Sequence, residues 1–281
     1  MRRMISGMIV LILLIPAGLS AEVTRKITAN PDGTLEFIFY LNEKAIARQT
    51  VDKDEKILKT TGIIPDGTVR QYYKSGKLRF TFTYKGDKPE GSAVGYDEDG
   101  SRLYEWNYKD GKHEGISKEY YKSGKVRAET SFKNGIREGI SKEFFESGVV
   151  KREGHYVNNQ LEMVKDFYSS GKLKRVWGYK AGKREGTSKE YYESGKLSGA
   201  VNFKNDTLHG LSKTYYESGT LKTEVNYKDG KMEGTGTEYH ENGNPKYIDT
   251  YKNGTLMTRQ SFNIEGKLKC TQDYSKDEGS K

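Results

Sequence analysis

The chain is short of the residues on which most single-site functions are built. It has one cysteine, Cys270, in 281 residues. No internal disulfide framework can form, and the redox compartment is left open. Its four histidines are His113, His155, His209 and His240. They give neither an HExxH motif nor a Cys/His ligand spacing, so no metal and no cofactor are expected. The hydrophobic share is 33%, which is low for a globular domain and argues against one closed oily core. The apolar run Met8 to Ile15 is too short to span a bilayer as a helix. No glycine-rich loop has phosphate-cradling form, and no stretch shows helical spacing. With 31% charged residues, disorder would be the simplest reading, but 12% aromatic residues with 21 tyrosines argue against it.

What is abundant is repetition. The stretch Gly115 to Glu138, GISKEYYKSGKVRAETSFKNGIRE, recurs with starts at Gly67, Gly91, Gly139, Glu162, Gly186, Gly210 and Gly234, and a truncated copy begins at Met257. The period is 24 residues, with two steps of 23, ending at Glu162 and Met257. A period in this range marks a repeat architecture, in which each unit is stabilised by its neighbours. Each unit reads as a β-hairpin: Ile116 to Tyr121, a turn at Lys122 to Lys125, Val126 to Lys133, and a second turn at Asn134-Gly135. Gly124 and Asn134-Gly135 supply the positive φ that such turns require.

Counting each start as position zero, position five is always aromatic, from Tyr72 to Phe262, and so is position seventeen, from Tyr84 to Tyr274. Alternation puts Leu78, Phe80, Phe82 and Tyr84 on one face, with Arg79, Thr81 and Thr83 on the other. Positions five and six are both usually aromatic, so each face of the first strand is expected to receive a ring. The aromatic rows would then replace a core, each ring burying its body and leaving its hydroxyl in water. The expected fold is all-β: an elongated, single-layer antiparallel array of about eight 24-residue hairpins plus a partial one.

Residues 1–21 have the form of a signal peptide, with Arg2 and Arg3 before the apolar run, Pro16, and small residues to Ala21. An exported protein, periplasmic or extracellular, is expected, with no transmembrane span after cleavage. Residues 22–66 are expected to form a capping β region, with strands at Leu35 to Tyr40, Lys44 to Val51 and Lys56 to Thr60. The array is placed at 67–274, and a polar, disordered tail at 275–281.

The pattern YYxSGKLxxxxxYKxGKxEG, clearest in Tyr191 to Leu197 and Tyr227 to Gly234, resembles the MORN-variant repeat found in bacterial proteins grouped as YwqK-type antitoxins. The resemblance covers about three quarters of the chain. It implies a twisted antiparallel sheet of successive hairpins, protein binding, lipid binding in some relatives, and, for the antitoxin group, neutralisation of a toxin. The copies depart from the pattern at Asp97 and His240, which replace the second aromatic, and at Asn158 to Glu162, where the turn glycine is lost.

Formal net charge is +9. Most lysines alternate with glutamates along strands, so a solvated face is expected and nucleic acid is not. The glutamates at position twenty-three, such as Glu114, Glu138, Glu185 and Glu233, read as a spaced solubility row. The acidic clusters Asp97 to Gly100 and Asp52 to Glu55 lack a complete calcium loop. Serines before the turn glycine recur because turns need them; a nucleophile would need a base beside it. A non-enzymatic, exported scaffold for protein partners is therefore expected. The alternative is an envelope ligand binder, for glycan or anionic lipid, using the aromatic rows. The partner surface is placed where copies differ: Trp106 and Trp177, both at position fifteen, with Tyr104, Asp97 and His240.

Overall fold

The computed structural model describes residues 22–53 and 56–275. The expected signal peptide, Asp54 and Glu55 of the second acidic cluster, and all but the first residue of the expected tail lie outside them. Every regular element among the described residues is a β-strand, and nearly all pairing is antiparallel between neighbours in sequence. The chain divides into two compact units after Gly100.

The first unit holds β1 (Val23–Ala29), β2 (Leu35–Leu41), β3 (Lys44–Val51), β4 (Ile57–Gly62), β5 (Gly67–Tyr72), β6 (Leu78–Lys85) and β7 (Lys88–Tyr96). Strand β1 is absent from the sequence-based expectation. Its alternation Val23, Arg25, Ile27 puts an arginine where a core residue should stand. β1 pairs antiparallel with β2 and, through Val23 and Thr24, parallel with Val69 and Arg70 of β5. Arg25 is buried between the rings of Phe37 and Phe82, 4.4 and 3.9 Å from their centroids, and donates to Gln71 and Tyr84. The rings supply the negative faces that replace a carboxylate. Phe39 meets Tyr84 edge-on at 5.4 Å, and the Gln49 amide donates to the carbonyl of Asp87. Most of the buried apolar side chains belong to this unit, among them Phe39, Val51, Ile64, Val69 and Tyr84.

The second unit is an open meander of hairpins, and Val164 is its one buried large apolar residue among the described residues. Strand Val126–Lys133 lies where the sequence puts it, and its partner runs Gly115–Tyr120. Tyr121 is not a strand residue. It opens a three-residue loop, its amide donating to the Lys125 carbonyl and its own carbonyl accepting from Gly124, with φ of 82° at Gly124. This is a type I turn closed by a left-handed glycine, with the register slipping at Glu119/Tyr120. The second turn has two residues, both at positive φ, as in Asn134 and Gly135. The stretch at Asn158 and Asn159 is not a broken turn: φ values of 49° and 65° keep the same geometry. Asn159 tolerates it because its side-chain oxygen accepts the Arg137 amide at 2.6 Å.

The two shortened steps have a structural cause. In a full copy the register jumps by two residues, as between Val225↔Gly236 and Tyr227↔Met232, with the starting glycine at positive φ. In the short steps the jump is one residue, as between His155↔Met163 and Tyr156↔Leu161 and again at Tyr251. The missing residue is therefore one residue of the bulge, and Glu162 and Met257 can stand where other copies need glycine.

An added Cβ at Gly124 would meet nothing within 4 Å, so substitution there costs backbone strain alone. Gly124→Val should lower stability by about 1–2 kcal/mol, and Gly124→Asn by less, because asparagine visits the left-handed region more readily. Chemical denaturation of both variants checks this; equal stability of the valine variant and the wild type would contradict the turn assignment.

Candidate functional site

A sheet without a second layer must tie its hairpins together in its own plane. At one edge, position six does this. Tyrosine hydroxyls donate to the backbone carbonyl at position five of the next copy: Tyr121 to Phe144, Tyr168 to Tyr191, Tyr192 to Tyr215 and Tyr216 to Tyr239, at 2.5–2.8 Å. In the first unit Tyr73 reaches Tyr96 in the same way. These hydroxyls are not left to water as expected: the strand ends at position five, and the ring turns outward across the loop to the neighbouring hairpin.

At the opposite edge, the glutamates at position twenty-three are not a free solubility row. Each accepts the first turn amide of the following copy: Glu114 from Asn134, Glu138 from Asn158, Glu185 from Asn205 and Glu233 from Asn253, at 2.7–2.9 Å. The second turn amide donates back, as from Gly135 to His113 and from Gly230 to Leu208. Charge-assisted bonds of this kind are the stronger class. At the bulge, side chains of position sixteen cap the carbonyl of position one in the next copy, from Asn107 to Ile116, Ser131 to Ile140 and Asn202 to Leu211.

The position-seventeen rings do not stack on each other. A side chain from position twenty-two lies between successive rings: His113 sits 4.5 Å from Tyr108 and 5.0 Å from Phe132 by centroid. Arg137 lies over Tyr156 and Arg184 over Phe203. Position twenty-two carries no common residue type, so the column is silent in sequence. Register makes it a layer of the packing.

Beside this row, small residues line up across the strands. Ser117 pairs with Thr130; Ser141 pairs with Gly154, Gly154 with Val164, and Val164 with Trp177. A Cβ at Gly154 would meet the Tyr156 ring at 3.0 Å and Leu161 at 3.3 Å, so the glycine lets that ring lie across the row. The result is a groove of about 740 Å³ across the hairpins. Ala128, Thr130, Ser141, Gly154 and Val164 form its floor, and Tyr156 and Tyr179 stand on one side. Glu119, Glu143 and Arg152 stand on the other. Its charges are largely engaged: Arg127 bonds Glu119, Arg152 bonds Asp166 at 2.7 Å, and Lys142 approaches Glu153 at 3.7 Å. The bond to Asp166 raises the Arg152 pKa, which fixes it as a cation. Ser141 Oγ has no hydrogen-bond partner. Small residues at position two, such as Ser117, Ser141, Ser188 and Ser212, were the sequence signal for this floor.

Of the five residues placed on the partner surface, Trp177 alone lines the groove. The Arg175 guanidinium covers its ring at 4.7 Å. Trp106 is stacked on Tyr104, centroids 5.2 Å apart and planes 7° from parallel. His240 sits in a hairpin loop, its amide donating to Asn244. Asp97 belongs to the first unit, where its carboxylate accepts the Glu98 amide. The structure does not gather these residues into one site. Further along the second unit, buried Asp249 holds Arg259 by two bonds of 2.7–2.8 Å and accepts from the Tyr251 hydroxyl. Burial first, and that bond second, raise the Tyr251 pKa, so it remains a donor.

Hairpin pairs closed by glycine turns and tied edge to edge define a MORN-type repeat scaffold. The MORN repeat variant family matches at residues 65–85, 89–110, 114–134, 137–158, 184–205, 208–229 and 232–253, more than half of the chain, and the chain belongs to it. The copies beginning at Glu162 and Met257, which lack the bulge glycine, are outside those matches. No curated protein sequence matches. Among solved structures the chain is similar to TcdB2-TccC3-Cdc42, at 11% identity over 92% of this chain and 19% of that one, with a TM-score of 0.17. It is also similar to the Photorhabdus luminescens Tc holotoxin pore, at 11% identity over 86% and 16%, with a TM-score of 0.18. The chain thus spans less than a fifth of either.

Tyr192→Phe removes one inter-hairpin bond and little else. A loss of about 0.5–1.5 kcal/mol is expected, with faster amide exchange confined to the hairpins around Tyr192 and Tyr215. Exchange measured by mass spectrometry that is unchanged there would contradict the tyrosine tie.

Proposed function

We propose that the chain is an exported, non-enzymatic scaffold that binds a protein partner in the groove across residues 119–179. The groove itself carries this reading. Its floor of small side chains admits another chain's side chains without rearrangement, and Tyr156, Tyr179 and Trp177 offer apolar area beside it. Aromatic anchors beside a shallow floor are the usual makings of a binding hot spot. The groove lining holds no histidine or cysteine, and most of its acids and bases are committed to neighbours, which supports binding rather than turnover. Membership of the MORN repeat variant family supports a scaffold role. The form of the first 21 residues supports export. The antitoxin-like version of the reading makes the partner a toxin, and co-expression with a candidate toxin would test that version separately.

Affinity capture from envelope extract tests the proposal when wild type is compared with Thr130→Trp, which fills the groove from its floor. A partner held in the groove should be recovered at least about tenfold less by the variant, since losing even 1.4 kcal/mol of binding has that effect. Circular dichroism should be unchanged. Equal recovery by both proteins would rule out the groove. A reporter fused after residue 21 should appear outside the cytoplasm; cytoplasmic retention would remove the export half of the reading.

A further inference from the structure

Lysines flank both sides of several two-residue turns, and the fold sets these turns along one edge. In the second unit Lys109 is directly paired with Lys112, Lys180 with Lys183 and Lys228 with Lys231. All six are exposed, and none has a salt bridge or side-chain hydrogen bond among the described residues. Like charges directly opposite each other destabilise a strand pair. Mutual attraction therefore does not explain these pairs, yet the arrangement appears in three hairpins. Lys133, Lys204 and Lys252 extend the row at three further turns, and the Val157/Gln160 turn interrupts it.

Among the described residues no salt bridge joins the six paired lysines to a nearby carboxylate, although Asp110 and Asp229 lie within two of the turns, Asp229 standing 3.6 Å from His209. Glu114, Glu185 and Glu233 are turned to backbone amides of the next turn, and Asp206 accepts the Arg184 amide. On the strand face, by contrast, lysines are matched to acids: Lys118 with Glu129, Lys142 with Glu153, Lys213 with Glu224 and Lys246 with Glu238. Lysines without salt bridges are thus collected at one edge alongside acids bonded elsewhere, and successive hairpins there stand roughly 10 Å apart.

We propose that this turn edge of the second unit binds a linear acidic polysaccharide. Three features select that ligand. The turn amides are already occupied by glutamates and by the preceding hairpin, so the edge offers charge rather than a strand-pairing template for a peptide. The position-seventeen rings have side chains inserted between them, which leaves no stacking platform of the kind single-stranded nucleic acids use. Adjacent strands rotate by roughly 20–25°, so the row winds by about 45° per hairpin. A flexible polymer can follow such a row, whereas a flat bilayer meets only a few hairpins at once.

The test uses the mature chain and heparin as a linear sulfated probe, at physiological salt and again at high salt. Binding is expected at the first and should fall steeply at the second, as screening requires. Replacing Lys180, Lys183, Lys228 and Lys231 by glutamine should weaken binding by about tenfold. Replacing the matched lysines Lys118, Lys142, Lys213 and Lys246 removes the same charge and should change it less than about twofold. Circular dichroism confirms that both variants are folded. No binding by the wild type, an equal loss in both variants, or equally tight binding to anionic lipid vesicles would each overturn the proposal. Because the turn-edge variant leaves the groove untouched, its loss of heparin binding with retained partner capture separates this edge from the groove.

Discussion

The constraint on which the second unit depends is that a sheet with no covering layer has to be held together within its own plane. Ordinary cores resist shear by packing one layer on another. Here buried apolar bodies are nearly absent from the second unit, and the load falls on bonds between one hairpin and the next. A tyrosine hydroxyl ties one edge, a glutamate and a turn amide tie the other, and an asparagine or serine closes the bulge between them. Each bond is modest, since a net intramolecular hydrogen bond contributes only about 0.5–1.5 kcal/mol. Repetition along the array makes the sum large enough to replace a core, and it also explains why each unit depends on its neighbours.

The first unit solves the same problem differently. There β1 lies between β2 and β5, and the apolar sides of β2, β3 and β6 bury one another. Arg25 is the cost of that arrangement, a cation enclosed by two rings with hydrogen bonds in place of an acid. The contrast shows what the hairpin repeat can do without: once every hairpin is bonded to its neighbour, one face of the sheet can stay open. The groove from Ala128 to Trp177 exists because position two and, at Thr130 and Gly154, position fifteen remain small there.

Function follows from that openness. The ties are repeated and so carry no specificity; they use the same tyrosines, glutamates and glycines in copy after copy. The groove is unrepeated because it depends on Gly154, Val164 and Trp177 meeting in successive strands. The charged edge is different again, made by residues that are common in the sequence but become a row only through pairing. A scaffold of this type can therefore hold different surfaces on its face and its edge without changing its fold.

The sequence by itself determined the period, the hairpin, the glycine turns and the face on which the position-seventeen rings lie. These are local properties: a turn needs positive φ at a fixed place, and alternation assigns each side chain a face. Even the loss of one residue at Glu162 and Met257 was visible, although its meaning as a smaller bulge was not. Only the tertiary structure decided what lies beside what. Tyr121 looked like the end of a strand and proved to be a tie to Phe144; Glu114 looked like a solubility charge and proved to hold the Asn134 amide. The row of Lys180, Lys183, Lys228 and Lys231, the groove floor, and the insertion of His113 between two rings all depend on register. Register decides which turns and strands lie side by side, the ties built on it join residues 20 and 23 positions apart, and no local pattern in the sequence fixes that geometry.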